Sequence, residues 1–388
     1  MLKITFIGLI LQLALVGIAA AAERPKVEEN GTIHIPAFKL PESSFLSEET
    51  RSILKHSRDH YAKEIVKAVR DTCPSNQEAK ISDMPEIRQC RANAYYKTGI
   101  YKRMRQYHEV TIEPKIIAGV YTEQFFPSNG IPPKNRDKVL ISLHSGAYMW
   151  GSRTASHMES IPIASVGKIK VISIDYRMGP EYTFPAANDD VVIVYKELLK
   201  TYKPENIGIY GSSGGGMLVA QVIAQMQSEG LVLPAAIGLF FSGAPTALDP
   251  KRYKWGRSDT GYFTEALLGV SWDNLFGPPH SYFKGVDRGG RLDSPGSYDD
   301  IMARFPPTLL INGGARDFSL SMVLVTHAQL VRLGVKADLH MWEGMPHVFN
   351  VMPALPESKE SYDVIVSFFD KHLGTNHLAA IKKEKHRG

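Results

Sequence analysis

The sequence predicts an α/β protein, a doubly wound, mostly parallel sheet of about eight strands with a helical N-terminal cap. Three observations predict it. Short apolar runs recur near residues 138, 170, 206, 236, 307 and 337, and the stretches between the later ones read as helices. Residues 110–126 read as two antiparallel leading strands ahead of them. Residues 23–109 instead carry charged helical stretches, such as 47–69 and 86–106, and are expected to form a separate helical region ahead of the sheet. At 388 residues and 44% hydrophobic content the chain can bury a large core, and single α/β domains with insertions commonly exceed about 250 residues.

In chain order, Lys3 precedes the apolar run 4–16, interrupted only by Gln12, and Ala20-Ala21-Ala22 stand before Glu23. That is the layout of a secretory signal peptide, residues 1–22, cleaved after Ala22. The apolar stretch 4–22 is nearly long enough to span a bilayer, so an uncleaved anchor is the alternative. Secretion or periplasmic export is the expected location, with no stable membrane insertion after cleavage. In an oxidising compartment the only two cysteines, Cys73 and Cys90, could form one disulfide. A metal site would need more ligands than these. One α/β domain is expected over 110–373, with an insertion at about 245–304 rich in Tyr, Trp and Phe, and a basic tail over 374–388. The net charge of +5 is small for this length and comes partly from that tail. It is no nucleic-acid footprint.

The apolar run 138–143 leads into His144-Ser145-Gly146-Ala147-Tyr148. Small residues at a strand end let backbone N–H groups approach a ligand, and the amides of Ser145 and Gly146 are expected to serve as oxyanion donors. His144 reads as a brace for that loop. Next, the run 206–210 leads through Gly211-Ser212-Ser213-Gly214-Gly215 into a helix that continues from Met217. A serine at such a strand-turn-helix corner projects its hydroxyl outward, and the residues two places either side must be small. The Gly214 amide, at the helix start, is a third oxyanion donor. A phosphate loop would need a lysine after its last glycine, where Met217 stands.

The acid follows the run 307–312, at Asp317, and the base follows the strand-like segment 337–341, at His347. Loops after two successive strands meet at one sheet edge, which favours Asp317 over Glu343, its rival nearer to His347 in sequence. Of the other late histidines, His327 lies in a helical stretch, His340 in a strand pattern, and His372, His377 and His386 read as solvated residues of the basic tail.

Together with Asp175-Tyr176-Arg177-Met178-Gly179-Pro180-Glu181 and Phe184-Pro185-Ala186-Ala187-Asn188-Asp189-Asp190, these segments resemble the hormone-sensitive-lipase-like family, the α/β-hydrolase-3 group of α/β-hydrolase esterases. The resemblance covers about residues 110–373. It implies the α/β-hydrolase fold, with Ser213 as nucleophile, Asp317 as acid and His347 as base. Two departures stand out: Ser145 and Ala147 replace glycines of the family's usual His-Gly-Gly-Gly, and Ser212 and Gly214 replace its usual Asp and Ala. Arg177 and Glu181 read as braces of a loop through buried ion pairs, or as a pair that binds substrate.

The expected chemistry is hydrolysis of carboxylic esters of small acyl groups through an acyl-enzyme, with no cofactor and no metal. The partner is a small-molecule ester or lactone, and a homodimer is compatible with the sequence. The alternatives are a lactone hydrolase, an exported peptidase and a non-catalytic ligand-binding homologue.

Overall fold

A computed structural model describes residues 25–74, 80–246 and 282–374 of the chain. The expected signal peptide, residues 247–281 of the expected insertion, and His377 and His386 of the tail lie outside the described residues. The chain divides into two units after Ser43. In the first, β1 (Lys26–Val27) pairs antiparallel with β2 (Ile33–His34).

The second unit begins with four helices: α1 (Glu48–His56), α2 (Ala62–Thr72), α3 (Met84–Tyr95) and α4 (Gly99–Tyr107). Ser47 starts α1, because its side chain accepts from the Thr50 amide while Glu48 and Glu49 face the positive end of the helix dipole. A Cys73–Cys90 disulfide, with Cα atoms 5.7 Å apart, ties the end of α2 to α3. The one pairing open to the two cysteines is therefore formed.

Eight strands then build one sheet: β3 (Val110–Ile117), β4 (Val120–Pro127), β5 (Val139–Leu143), β6 (Lys170–Ile174), β7 (Ile207–Ser212), β8 (Ala236–Phe240), β9 (Thr308–Asn312) and β10 (Ala337–Met341). Their order is β10-β9-β8-β7-β5-β6-β4-β3. β3 and β4 pair antiparallel, as do β4 and β6. All other neighbours are parallel. Helices α5 (Ala155–Gly167), α6 (Ala186–Leu198), α7 (Gly214–Ser228), α8 (Asp299–Met302), α9 (Leu320–Arg332) and α10 (Pro356–His372) fill the connections and the C-terminal end.

The central strands are apolar on both faces because both faces are covered. Val139, Ile141 and Leu143 of β5, with Ile207 and Ile209 of β7, pack with Val191 of α6, Leu218 of α7 and Val323 of α9. The alternate residues Leu140 and Tyr210 pack on the other side with Ile161 of α5 and Ile365 and Phe369 of α10. His372 belongs to this second layer. It is 3% exposed at the end of α10, beside Phe368 with ring centroids 4.6 Å apart, and so is no solvated tail residue.

The chain order fixes where a site can form. From β5 the chain steps to β6 on one side, and β7 then returns to the other side of β5. The loops after β5 and β7 consequently diverge, opening a crevice at the carboxyl ends of these strands. Leu143 lies opposite Gly211 in register, which places His144–Tyr148 beside Ser213.

Candidate active site

Ser213 sits between β7 and α7 with φ 53° and ψ −120°, a conformation that costs a non-glycine residue about 1–3 kcal/mol. The residues two places either side must be glycine for steric reasons. A Cβ on Gly215 would lie 1.9 Å from the Leu143 carbonyl oxygen, and one on Gly211 would lie 2.4 Å from the Gly215 carbonyl carbon. A bond from the Ser213 amide to the Phe240 carbonyl, 2.8 Å, anchors the corner to β8.

His347, in the loop after β10, has Nε2 2.9 Å from Ser213 Oγ and Nδ1 2.8 Å from Asp317 Oδ1. Asp317 follows β9 and is fully buried. The same Oδ1 accepts from the backbone amide and hydroxyl of Ser319, at 2.9 and 2.7 Å. Burial alone would raise the Asp317 carboxyl, but the His347 charge and the hydrogen bonds from His347 and Ser319 outweigh it and hold the group below its ordinary value. The Phe318 ring lies against the imidazole, centroids 4.2 Å apart. Glu343 turns elsewhere, accepting from the Ala315 amide at 3.4 Å. The structure therefore brings together the nucleophile, base and acid that the sequence marks.

The loop after β5 departs from expectation. The Ser145 amide, expected as an oxyanion donor, donates instead to the carboxyl of Glu159 on α5, at 3.3 and 3.2 Å from its two oxygens. Among the described residues, the amides of Gly146, Ala147 and Gly214 make no hydrogen bond. Gly146 has φ 119°, and a Cβ there would meet the Trp150 carbonyl oxygen at 2.1 Å. Ala147 and Tyr148 follow at φ 56° and 61°, left-handed conformations that cost a side-chain-bearing residue about 1–2 kcal/mol each.

Several groups hold this turn. Tyr176 donates its hydroxyl to the His144 carbonyl at 2.7 Å, and the Gly179 amide donates to the Tyr148 carbonyl at 2.8 Å. Tyr148, 2% exposed, donates its own hydroxyl to Gln221 Oε1 at 2.9 Å and stacks on Tyr282. Arg88 of α3 reaches across to donate to the carbonyls of Met149 at 2.7 Å and Gly179 at 2.6 Å, and also pairs with Glu181. Arg177 pairs with Asp190 at 2.8 Å. Arg177 and Glu181 thus each brace the loop through another partner, and the Arg177 side chain is 41% exposed where a buried one was expected. His144 is a brace as expected: fully buried, its ring stacks on Tyr176 with centroids 4.2 Å apart, and burial lowers its pKa to about 4, so it is neutral.

Arg88, Glu159, Gln221 and Ser319 escaped the sequence reading. For Glu159 a signal exists, since it is the lone charge in the otherwise uncharged run 156–164. For Arg88 none does, because its partners lie more than 60 positions away.

The comparisons with known proteins bear on the fold and the family. A family model described as alpha/beta hydrolase fold matches residues 140–351. An acetyl-hydrolase of Streptomyces hygroscopicus is 26% identical over 282 residues, covering 68% of this chain and 91% of that protein. A solved esterase is 27% identical with a TM-score of 0.66, covering 89% of this chain and 100% of its own. A solved esterase of the bacterial hormone-sensitive lipase family is 25% identical with a TM-score of 0.64, covering 85% of this chain and 99% of its own. The chain belongs to the α/β-hydrolase family, in its hormone-sensitive-lipase-like group of ester-hydrolysing enzymes.

Proposed function

We propose that this protein is an exported serine carboxylesterase acting on small acyl esters. The observation that carries the reading is the unbroken chain from Ser213 Oγ through the His347 ring to Asp317, at 2.9 and 2.8 Å. Asp317 accepts from Nδ1–H and so leaves Nε2 free to take the serine proton. Ser213 Oγ attacks the ester carbonyl as its proton passes to His347. The amides of Gly146, Ala147 and Gly214 receive the developing oxyanion, assisted by the positive end of α7. The carbon–oxygen bond then breaks, and His347 returns the proton to the departing alcohol. Water attacks the acyl-enzyme with His347 again as base, which releases the acid and restores the serine.

The Cys73–Cys90 disulfide supports an oxidising compartment, consistent with a signal peptide over residues 1–22. Relatives named acetyl-hydrolase and esterase support small acyl groups as the substrate class. The test is steady-state hydrolysis of p-nitrophenyl acetate, butyrate and octanoate and of a γ-lactone, beside a folded Ser213→Ala variant. The expected result is turnover of the short esters that the variant lacks. Turnover confined to the lactone would replace the substrate class, and turnover of none would overturn the reading.

A further inference from the structure

We infer that Glu159 is a positioning residue for the oxyanion turn: its buried carboxyl group holds the Ser145 amide and so fixes where the two following amides point. The inference rests on the esterase reading above and deepens it.

Glu159 is 3% exposed, on the face of α5 turned to the sheet. Both its oxygens lie within 3.3 Å of the Ser145 nitrogen, and that amide is the loop's point of entry to the turn. The next three residues have φ of 119°, 56° and 61°. A chain with side chains at two of those positions leaves that region unless it is held. The other ties on the turn grip its carbonyls or the Tyr148 side chain. Glu159 accepts from the Ser145 amide, and an acceptor there orients the His144–Ser145 peptide plane through which the chain enters Gly146.

The surroundings are built for a polar group. Ser142 lies opposite Tyr210 in register, so the polar side chains of Ser142, His144, Tyr210 and Ser212 share the sheet face that α5 covers, where α5 adds Ser160. Among the described residues the buried Ser212 hydroxyl and His144 Nε2 have no hydrogen-bond partner. A carboxyl group here faces a polar seam between α5 and the sheet.

Its charge state bears on the reaction. Burial raises the Glu159 pKa to about 8, against the opposing contacts with Ser145, so the group is neutral at pH 7. Three titratable groups near it do not charge near neutrality. Tyr210 of β7, whose hydroxyl donates to the Glu159 carbonyl at 3.3 Å, and Tyr176 after β6 are both raised by burial, and His144 is neutral. The charges felt at His144 are those of Arg88 on α3 and Glu123 on β4, and Glu123 pairs with His157. Ionisation of Glu159 puts a negative charge one residue from the amides that must stabilise a forming oxyanion, so turnover falls as the pH rises through its pKa.

The test follows kcat and KM for p-nitrophenyl acetate from about pH 6 to about pH 10 in the full protein, Glu159→Gln and Glu159→Ala, each checked by thermal melting. Wild type is expected to lose kcat with a midpoint near pH 8. Glu159→Gln retains an acceptor for Ser145 but cannot ionise, and its kcat stays level through that range. Glu159→Ala is expected to lose about 10- to 100-fold in kcat with KM within about threefold, the pattern of a misaimed oxyanion donor. An alanine variant with wild-type kcat overturns the inference, as does an alkaline decline that persists in Glu159→Gln. If Glu159→Ala fails to fold, the glutamine pH profile decides alone. Wild-type turnover that Ser213→Ala abolishes is the baseline, and without it the esterase reading falls and takes this inference with it.

Discussion

Gly214 of the corner and Ala147 of the turn after β5 are in contact: a Cβ placed on Gly214 would stand 3.0 Å from the Ala147 nitrogen and 3.1 Å from its Cα. The family's usual pattern puts a glycine in the turn and an alanine at the corner. This chain has the reverse, and the contact couples the two positions.

Gly214→Ala alone therefore pushes the turn off the corner. Its kcat for p-nitrophenyl acetate should fall at least about tenfold. Ala147→Gly alone relieves a left-handed alanine and should be neutral or stabilising by up to about 1 kcal/mol. With glycine at 147 the backbone can yield, so the double variant should recover part of the loss. A double-mutant cycle on kcat/KM should give a coupling of about 0.5–3 kcal/mol, and strict additivity would contradict the contact.

Arg88 joins α3 to two loops of the site, through the carbonyls of Met149 and Gly179 and the carboxylate of Glu181. With its side chain 9% exposed and that of Glu181 13% exposed, its removal leaves a nearly buried charge unpaired. Arg88→Ala should cost about 3–5 kcal/mol in denaturant unfolding. Arg88→Lys should not restore it, because one ammonium cannot reproduce the guanidinium fork. Full rescue by lysine would show that charge alone matters.

The Cys73–Cys90 bond closes a segment of 17 positions between α2 and α3, the helix that carries Arg88. Its removal in a Cys73→Ser/Cys90→Ser variant should lower stability by about 3 kcal/mol. An unchanged melting temperature with the thiols titrated as free in the wild type would refute the bond itself.

Asp317 and Glu343 are separable by substitution. Asp317→Asn should lower kcat by about 10⁴ through loss of the correct His347 tautomer. Glu343→Gln, which bears on Ala315, should stay within about threefold of wild type. Acidification gives an independent readout. Because the folded Asp317 pKa is depressed, its contribution is complete above the unfolded value, near about 3.9, and is lost as pH falls through the lower folded value. Melting temperatures taken downward from pH 5 should fall more steeply in wild type than in Asp317→Asn, and parallel curves would contradict the depressed pKa.

The strands were legible because a sheet covered on both faces leaves continuous apolar runs, and each run near 138, 206, 236 and 307 became a central strand. Ser213, Asp317 and His347 were legible because each follows such a run and strand ends converge on one edge. The aim of the Ser145 amide was not, since it depends on Glu159, 14 positions on and in a helix. Arg88 was hidden for the same reason at longer range. His372 could have been found: Ile365, Phe368, Phe369 and His372 recur at helical spacing, a pattern that places it on the buried face of α10.

The central claim is that Ser213 carries the acyl group between two half-reactions. Acid quenching of the protein during turnover of p-nitrophenyl butyrate, followed by digestion and mass spectrometry, tests it most directly. A butyryl adduct on the peptide containing Ser213, absent in Ser213→Ala and forming far more slowly in His347→Ala, which lacks the base for acylation, is the predicted result. Turnover with no adduct on that serine, or one on another residue that forms and decays at the catalytic rate, would contradict the account.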